Sequence, residues 1–167
     1  MKRIYGILVA AVMSGGIATA HAAEIKIGFV DVQRIQRESA PAQLASKQLE
    51  KEFAPRAQEL QRREADLKTA QSNLEKEAMT MSETDRRNRE QELARLSVDF
   101  QRLQREYRED LNLRRNQELS SLFERADRVI KRIANEEKYD LILQEAVFRS
   151  SRIDITDKVL KALAAGK

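Results

Sequence analysis

Cysteine and tryptophan are absent from this chain of 167 residues, which has one histidine, two prolines and five glycines. Each shortage closes off a kind of chemistry. Without cysteine there is no disulfide, no thiol nucleophile and no thiolate metal site. The one histidine, His21, falls in an N-terminal stretch that reads as a removable leader, so the remainder has no imidazole base. Only Gly28 and Gly166 lie beyond that stretch. No glycine-rich loop can cradle a phosphate, and ATP-driven work is not expected. No cofactor and no metal are expected. Carboxylates are plentiful, but they are interspersed with lysines and arginines, where their pKa values stay near normal. An enzyme is the least expected class.

The leader reading rests on residues 1–22. Lys2 and Arg3 give a basic start, Ile4 to Ala20 is mostly apolar and small, and Ala20-His21-Ala22 fits the small-x-small cleavage rule. The apolar run is short for a membrane span, and no second long one follows.

Charge of one sign is also missing. The chain carries 31 Lys+Arg against 27 Asp+Glu, a formal +4. Without Lys2 and Arg3 the balance is 29 to 27, or +2. From Ala45 to Ser120 it is 16 to 16. A uniformly basic nucleic-acid surface is not supported.

What is present in abundance is heptad pattern. Two arms, Leu44 to Met81 and Thr84 to Ile133, flank the polar break Met81-Ser82-Glu83-Thr84-Asp85. On the second arm Leu93, Leu96, Phe100, Leu103 and Tyr107 alternate in steps of three and four, as do Leu119, Leu122, Ala126, Val129 and Ile133. That spacing predicts one apolar stripe along a helix. Steps of four through Leu111, Arg115 and Leu119 form a stutter. On the first arm Leu60, Leu67, Leu74 and Met81 recur every seven residues, but the matching positions hold Ala57, Glu64, Gln71 and Ala78. Such a seam packs loosely. Pro55 lacks an N–H and crowds the carbonyl of Lys51, which predicts a kink or a helix restart. Ser82 is the expected cap of the second helix, with Asp85 the acidic partner.

Strand signals lie at the two ends. Ile25 to Val32, Tyr139 to Leu143 and Ala146-Val147-Phe148 read as strands. Arg149 to Arg152 reads as a turn, and Thr156 as the cap of a last helix. Phe29 and Phe148 are the expected core aromatics. The class is therefore α+β, mostly α. A small α/β body from 23–44 plus 121–167 carries a helical hairpin, 45–120, with its tip near 80–85. A body this small is marginal alone, and oligomerisation is the expected remedy.

Lys26-Ile27-Gly28-Phe29-Val30-Asp31-Val32-Gln33-Arg34-Ile35 resembles the opening strand of the OmpH-like (Skp) periplasmic chaperones. Tyr139 to Leu143, with Ile153-Asp154-Ile155-Thr156-Asp157-Lys158-Val159-Leu160, resembles that family's closing segment. Phe53 with Glu59-Leu60-Gln61 is similar to the start of its first arm. The resemblance covers nearly all of the chain beyond the leader. It implies a jellyfish-like homotrimer in the periplasm. Its hairpins would hold unfolded outer-membrane proteins in a cavity without ATP and deliver them toward the outer membrane. The family often has glycine where this chain has Lys138, so the turn there is expected to use Asn135 instead.

Candidate client contacts are Met79 and Met81 near the tip and the off-seam Val98 and Leu113. Met81 is also in seam register. Arg86, Arg87 and Arg89 form a basic group at the tip that suits anionic lipid, lipopolysaccharide or acidic clients, or else a solvated face. Pro55 is the candidate hinge. Two other readings stand beside the holdase: a structural coiled-coil adaptor, which would want full heptads, and a lipopolysaccharide- or membrane-surface binder, which would want a contiguous basic stripe.

Overall fold

The structure, a computed structural model, describes residues 24–166. The leader reading falls outside the described residues. The elements run β1 (Ile27–Phe29), α1 (Val32–Glu38), α2 (Ala40–Glu77), α3 (Glu83–Glu137), β2 (Leu141–Leu143) and α4 (Thr156–Ala164). The class is mostly α with a small sheet, as the periodicities predict.

The two long helices follow their heptads. At about 1.5 Å per residue, the 38 residues of α2 span about 57 Å and the 55 of α3 about 82 Å. Ser82 caps α3 as expected: its Oγ accepts from the Asp85 N–H at 3.1 Å and donates to the Asp85 carboxylate at 2.6 Å. Helix α2 does not restart at Pro55; it continues unbroken across it.

The ends of the chain meet in a parallel pairing, Ile27 opposite Leu141 and Phe29 opposite Leu143. A parallel pair needs a long crossover, and the whole hairpin supplies it. On the other edge of β1, Phe29 bridges to Asp154: the Phe29 N–H donates to the Ile153 carbonyl at 2.8 Å, and the Ile155 N–H to the Phe29 carbonyl at 2.9 Å. Beneath this sheet lies the core, with Val30, Ile35, Leu122, Ala126, Val129, Ile133, Ile155, Val159 and Leu163 buried. The spacing of Leu122, Ala126, Val129 and Ile133 is the stripe read from the sequence.

Four expectations are corrected. The first strand ends at Phe29, because Asp31 caps α1 by accepting from the Arg34 N–H at 2.9 Å, and Val32 is already helical. Ala146-Val147-Phe148 is not a strand: no backbone partner reaches it, and Phe148 is 84% exposed rather than in the core. Thr156 does not cap α4. It is the first helical residue; its N–H donates to Asp154 Oδ1 at 2.9 Å, and its own buried hydroxyl accepts from the Asp31 N–H at 2.9 Å. Finally, α3 turns off through Lys138 itself, at φ 57° and ψ 49°, and not through Asn135.

A left-handed lysine is strained by its Cβ, whereas glycine is not. Lys138→Gly is expected to stabilise the protein by about 0.5–1 kcal/mol, less than the full strain because glycine also loosens the unfolded chain. Chemical denaturation compares the two; a less stable variant would count against this turn.

An ionic staple fixes the same junction. The Lys158 ammonium donates to both carboxylate oxygens of Glu137 at 2.6 Å, and the Lys26 ammonium to the Glu137 carbonyl at 2.7 Å. The Lys158 hydrogen bonds hold the Glu137 carboxyl below the usual range. At Asp154 burial pushes the other way, but hydrogen bonds from Thr156 and then Arg149 outweigh it, and that carboxyl too is depressed. A depressed carboxyl contributes stability above its unfolded pKa, about 4, and loses it as pH falls through the lower folded value. The melting temperature is therefore expected to drop between about pH 5 and about pH 3, and to drop less in Glu137→Gln. An unchanged slope in that variant would remove Glu137 from the cause.

Candidate functional site

The surface that could hold another molecule is the hairpin, and its character changes along its length. Near the body the arms are clamped. Phe53, the one buried residue of α2, meets the Tyr107 ring edge-on at 5.8 Å between centroids and 80° between planes. Arg56 lies 5.6 Å over the Phe53 ring and bridges to Asp110 across the arms at 2.8 Å. Arg114 reaches back to Glu52 at 3.4 Å. Pro55, the candidate hinge, sits inside this clamp.

Two hollows lie along the hairpin. One of about 1090 Å³ runs from the body past the clamp between α2, α3 and α4, lined by Leu49, Phe53, Ala57, Leu111, Leu119 and Leu122 among others. The stutter from Leu111 to Leu119 coincides with this parting of the helices. On the tip side, about 310 Å³ lies between the arms beside Leu74, Met81 and Leu93. Beyond Phe53, the seam residues Leu60, Leu67, Leu74, Leu93, Leu96 and Leu103 are all half-buried.

The four candidate contacts do not converge on one pocket. Met79 in the turn is 97% exposed, Val98 64% and Leu113 57%. Met81 is half-buried and lines the tip-side hollow. The three tip arginines are also dispersed. Arg86 pairs with Glu90 at 3.6 Å, Arg89 with Glu92 at 3.4 Å, and Arg87 with Glu83. Each partner is on the same helix, so no contiguous basic stripe forms.

The clamp's charged residues were not singled out in the sequence. A signal existed: Phe53 and Tyr107 are equidistant from residue 80, in the turn, so a hairpin must bring them level. Among the described residues, no group of histidine, cysteine or carboxylate side chains could hold a metal ion, and no helix is long and apolar enough to cross a membrane.

A long charged hairpin on a small mixed body, with scattered apolar side chains and no convergent polar site, defines a protein that handles other chains rather than one that transforms a small substrate. The family model for outer membrane protein (OmpH-like) matches residues 26–163, and the chain belongs to that family. Among its relatives is the chaperone protein Skp of Photorhabdus luminescens, 33% identical over 146 residues that cover 86% of this chain and 88% of the relative. Skp of Yersinia enterocolitica is 30% identical over 151 residues, 87% and 92% of the two chains. Skp of Escherichia coli K12 is 31% identical over 157 residues, 92% and 96%. A solved OmpH-like outer membrane chaperone from Caulobacter crescentus CB15 has the same fold, with a TM-score of 0.72 at 16% identity over 98% of this chain and 91% of that one. The family is one of chaperones, and the chain is not an enzyme.

Proposed function

We propose that this chain is an ATP-independent periplasmic holdase that encloses unfolded outer-membrane β-barrel proteins and keeps them from aggregating in transit. The observation that carries the reading is the hairpin surface. Met79, Val98 and Leu113 stand in solvent on arms whose charges are neutralised mostly within their own helix. An unfolded barrel chain exposes alternating apolar residues and aggregates readily. Scattered weak contacts hold such a chain through effective concentration, yet each releases separately, so no nucleotide is needed for turnover. Kinship with the Skp chaperones supports the client class.

Enclosure requires several hairpins, and a homotrimer joined through the body is the assembly proposed. The two-stranded sheet is too small to stand alone. Ile27, Leu141 and Phe148 lie exposed around it, an apolar surface suited to a subunit contact. Phe148→Ser is expected to leave the fold of each chain unchanged and to weaken association by about tenfold or more. Sedimentation over a dilution series reads this; unchanged assembly would move the contact elsewhere.

The function itself is tested by diluting a urea-unfolded β-barrel protein into residues 23–167 without ATP and following light scattering. Suppressed scattering that saturates near one client per trimer is the expected result. Unchanged scattering would refute the holdase.

A further inference from the structure

The two arms are joined unevenly. Among the described residues, every ion pair and side-chain hydrogen bond between α2 and α3 lies in the clamp, at Glu52–Arg114 and Arg56–Asp110. Toward the tip, the pairs are all within one helix: Glu59 with Arg62 and Arg63, Arg86 with Glu90, Arg102 with Asp99 and Glu106. These bonds survive if the arms separate. What joins the arms there is a line of half-buried leucines, interrupted where the exposed Glu64 and Gln71 take seam positions. The arms also already leave a gap between them, a hollow of about 310 Å³ where Leu74, Met81 and Leu93 are joined by the polar Asp66, Glu77 and Arg89, many times the space of about 10–15 Å³ that one water needs.

Separation along the tip half would therefore break no polar bond and would sacrifice only partial apolar burial. Separation at the clamp would break two ion pairs and uncover Phe53. The buried residues of the two long helices, Phe53, Leu122, Ala126, Val129 and Ile133, all lie at the clamp or on its body side. Regions with few buried contacts open first.

We propose that the hairpin opens along its tip half while the clamp stays shut, and that the uncovered seam leucines are a concealed second binding surface for the client. This rests on the holdase reading and deepens it. The occupant is an apolar side chain of an extended, unfolded barrel segment. Its way in is the existing gap, which adjoins the turn bearing the fully exposed Met79. Leucine seams released from each other need an apolar partner, and such a client supplies one at many points along its length. The closed seam keeps these leucines from aggregating when no client is present.

A reversible staple tests this cleanly, because the native chain has no cysteine to interfere. Thr69 and Glu92 both line the gap, and both are exposed. In a Thr69→Cys, Glu92→Cys variant, a reducible bis-methanethiosulfonate linker joins the arms without touching the leucines. The probe is a urea-unfolded outer-membrane β-barrel protein bearing a fluorophore. The reduced variant is expected to bind it like the native chain, and the stapled form to bind at least about tenfold more weakly, because the open state is removed. Equal binding by the stapled and reduced forms overturns the concealed surface and leaves the holdase standing. If the native chain binds no client, both readings fall.

A second measurement decides the matter should the cysteine variant misbehave. Spin labels at exposed Lys68 and Ala94 report the tip half, and labels at exposed Lys51 and Asn112 report the clamp. With labelled chain diluted into unlabelled chain, client is expected to lengthen and broaden the first distance and leave the second unchanged. An unchanged tip-half distance, or equal movement in both, overturns the proposal.

Discussion

Phe53→Ala is expected to destabilise the protein by about 3 kcal/mol, the low end of what removing a buried phenylalanine costs. The ring is 4% exposed, stacks edge-on against Tyr107 and lies under Arg56. Its removal takes away the apolar anchor on which two ion pairs depend. The cost stays at the low end because one side of the ring already borders the larger hollow, so little new cavity is created. Leu60→Ala, one heptad farther out, is the comparison. Leu60 is only half-buried, and its loss is expected to cost about 1 kcal/mol. Urea unfolding at one fixed protein concentration measures both. Equal losses at the two positions would mean that the hairpin has no clamp.

Ile35→Ala is expected to be costlier for assembly than for helix content. Ile35 is 1% exposed and joins α1 to the stripe of α3 and to α4 in the one core of the body. Such a truncation costs about 2–5 kcal/mol. In a body this small that is a large share of the total, since whole domains have only about 5–15 kcal/mol. The arms hold much of their helix through their own pairs, so circular dichroism is expected to fall modestly while the proposed trimer dissociates. Near-native assembly in Ile35→Ala would show that the body is not the seat of association.

Much of this architecture is legible in the residues because its signals are local. The heptads of both arms, the Ser82 cap and the strands around Gly28 and Ile142 each depend on a few neighbouring side chains. The misreadings occur where distant partners decide. Ala146-Val147-Phe148 has strand-like composition, but β1 already has β2 on one edge and Asp154 on the other, so the segment cannot add to β1, and it stays exposed beside the sheet. Thr156 looks like a cap, yet its hydroxyl is used by the Asp31 N–H across 125 residues, and its own N–H is taken up by Asp154. Lys138 was expected to pass its turn to Asn135. The tertiary tie of Glu137 to Lys26 and Lys158 instead fixes the last turn of α3, and Lys138 takes the left-handed bend that follows. The candidate surface was only partly legible. Periodicity exposes off-seam residues such as Val98 and Leu113, but the pairing of Arg56 with Asp110 and of Glu52 with Arg114 depends on how the arms align.

Several copies of this chain are proposed to surround one unfolded client without nucleotide. Sedimentation of the chain with a fluorescent, urea-unfolded β-barrel protein, in buffer free of ATP, tests it most directly. The expected result is one soluble species whose mass equals a trimer plus one client, with the client still unfolded by circular dichroism. A client that sediments as aggregate, or that travels with a single copy of the chain, would contradict it.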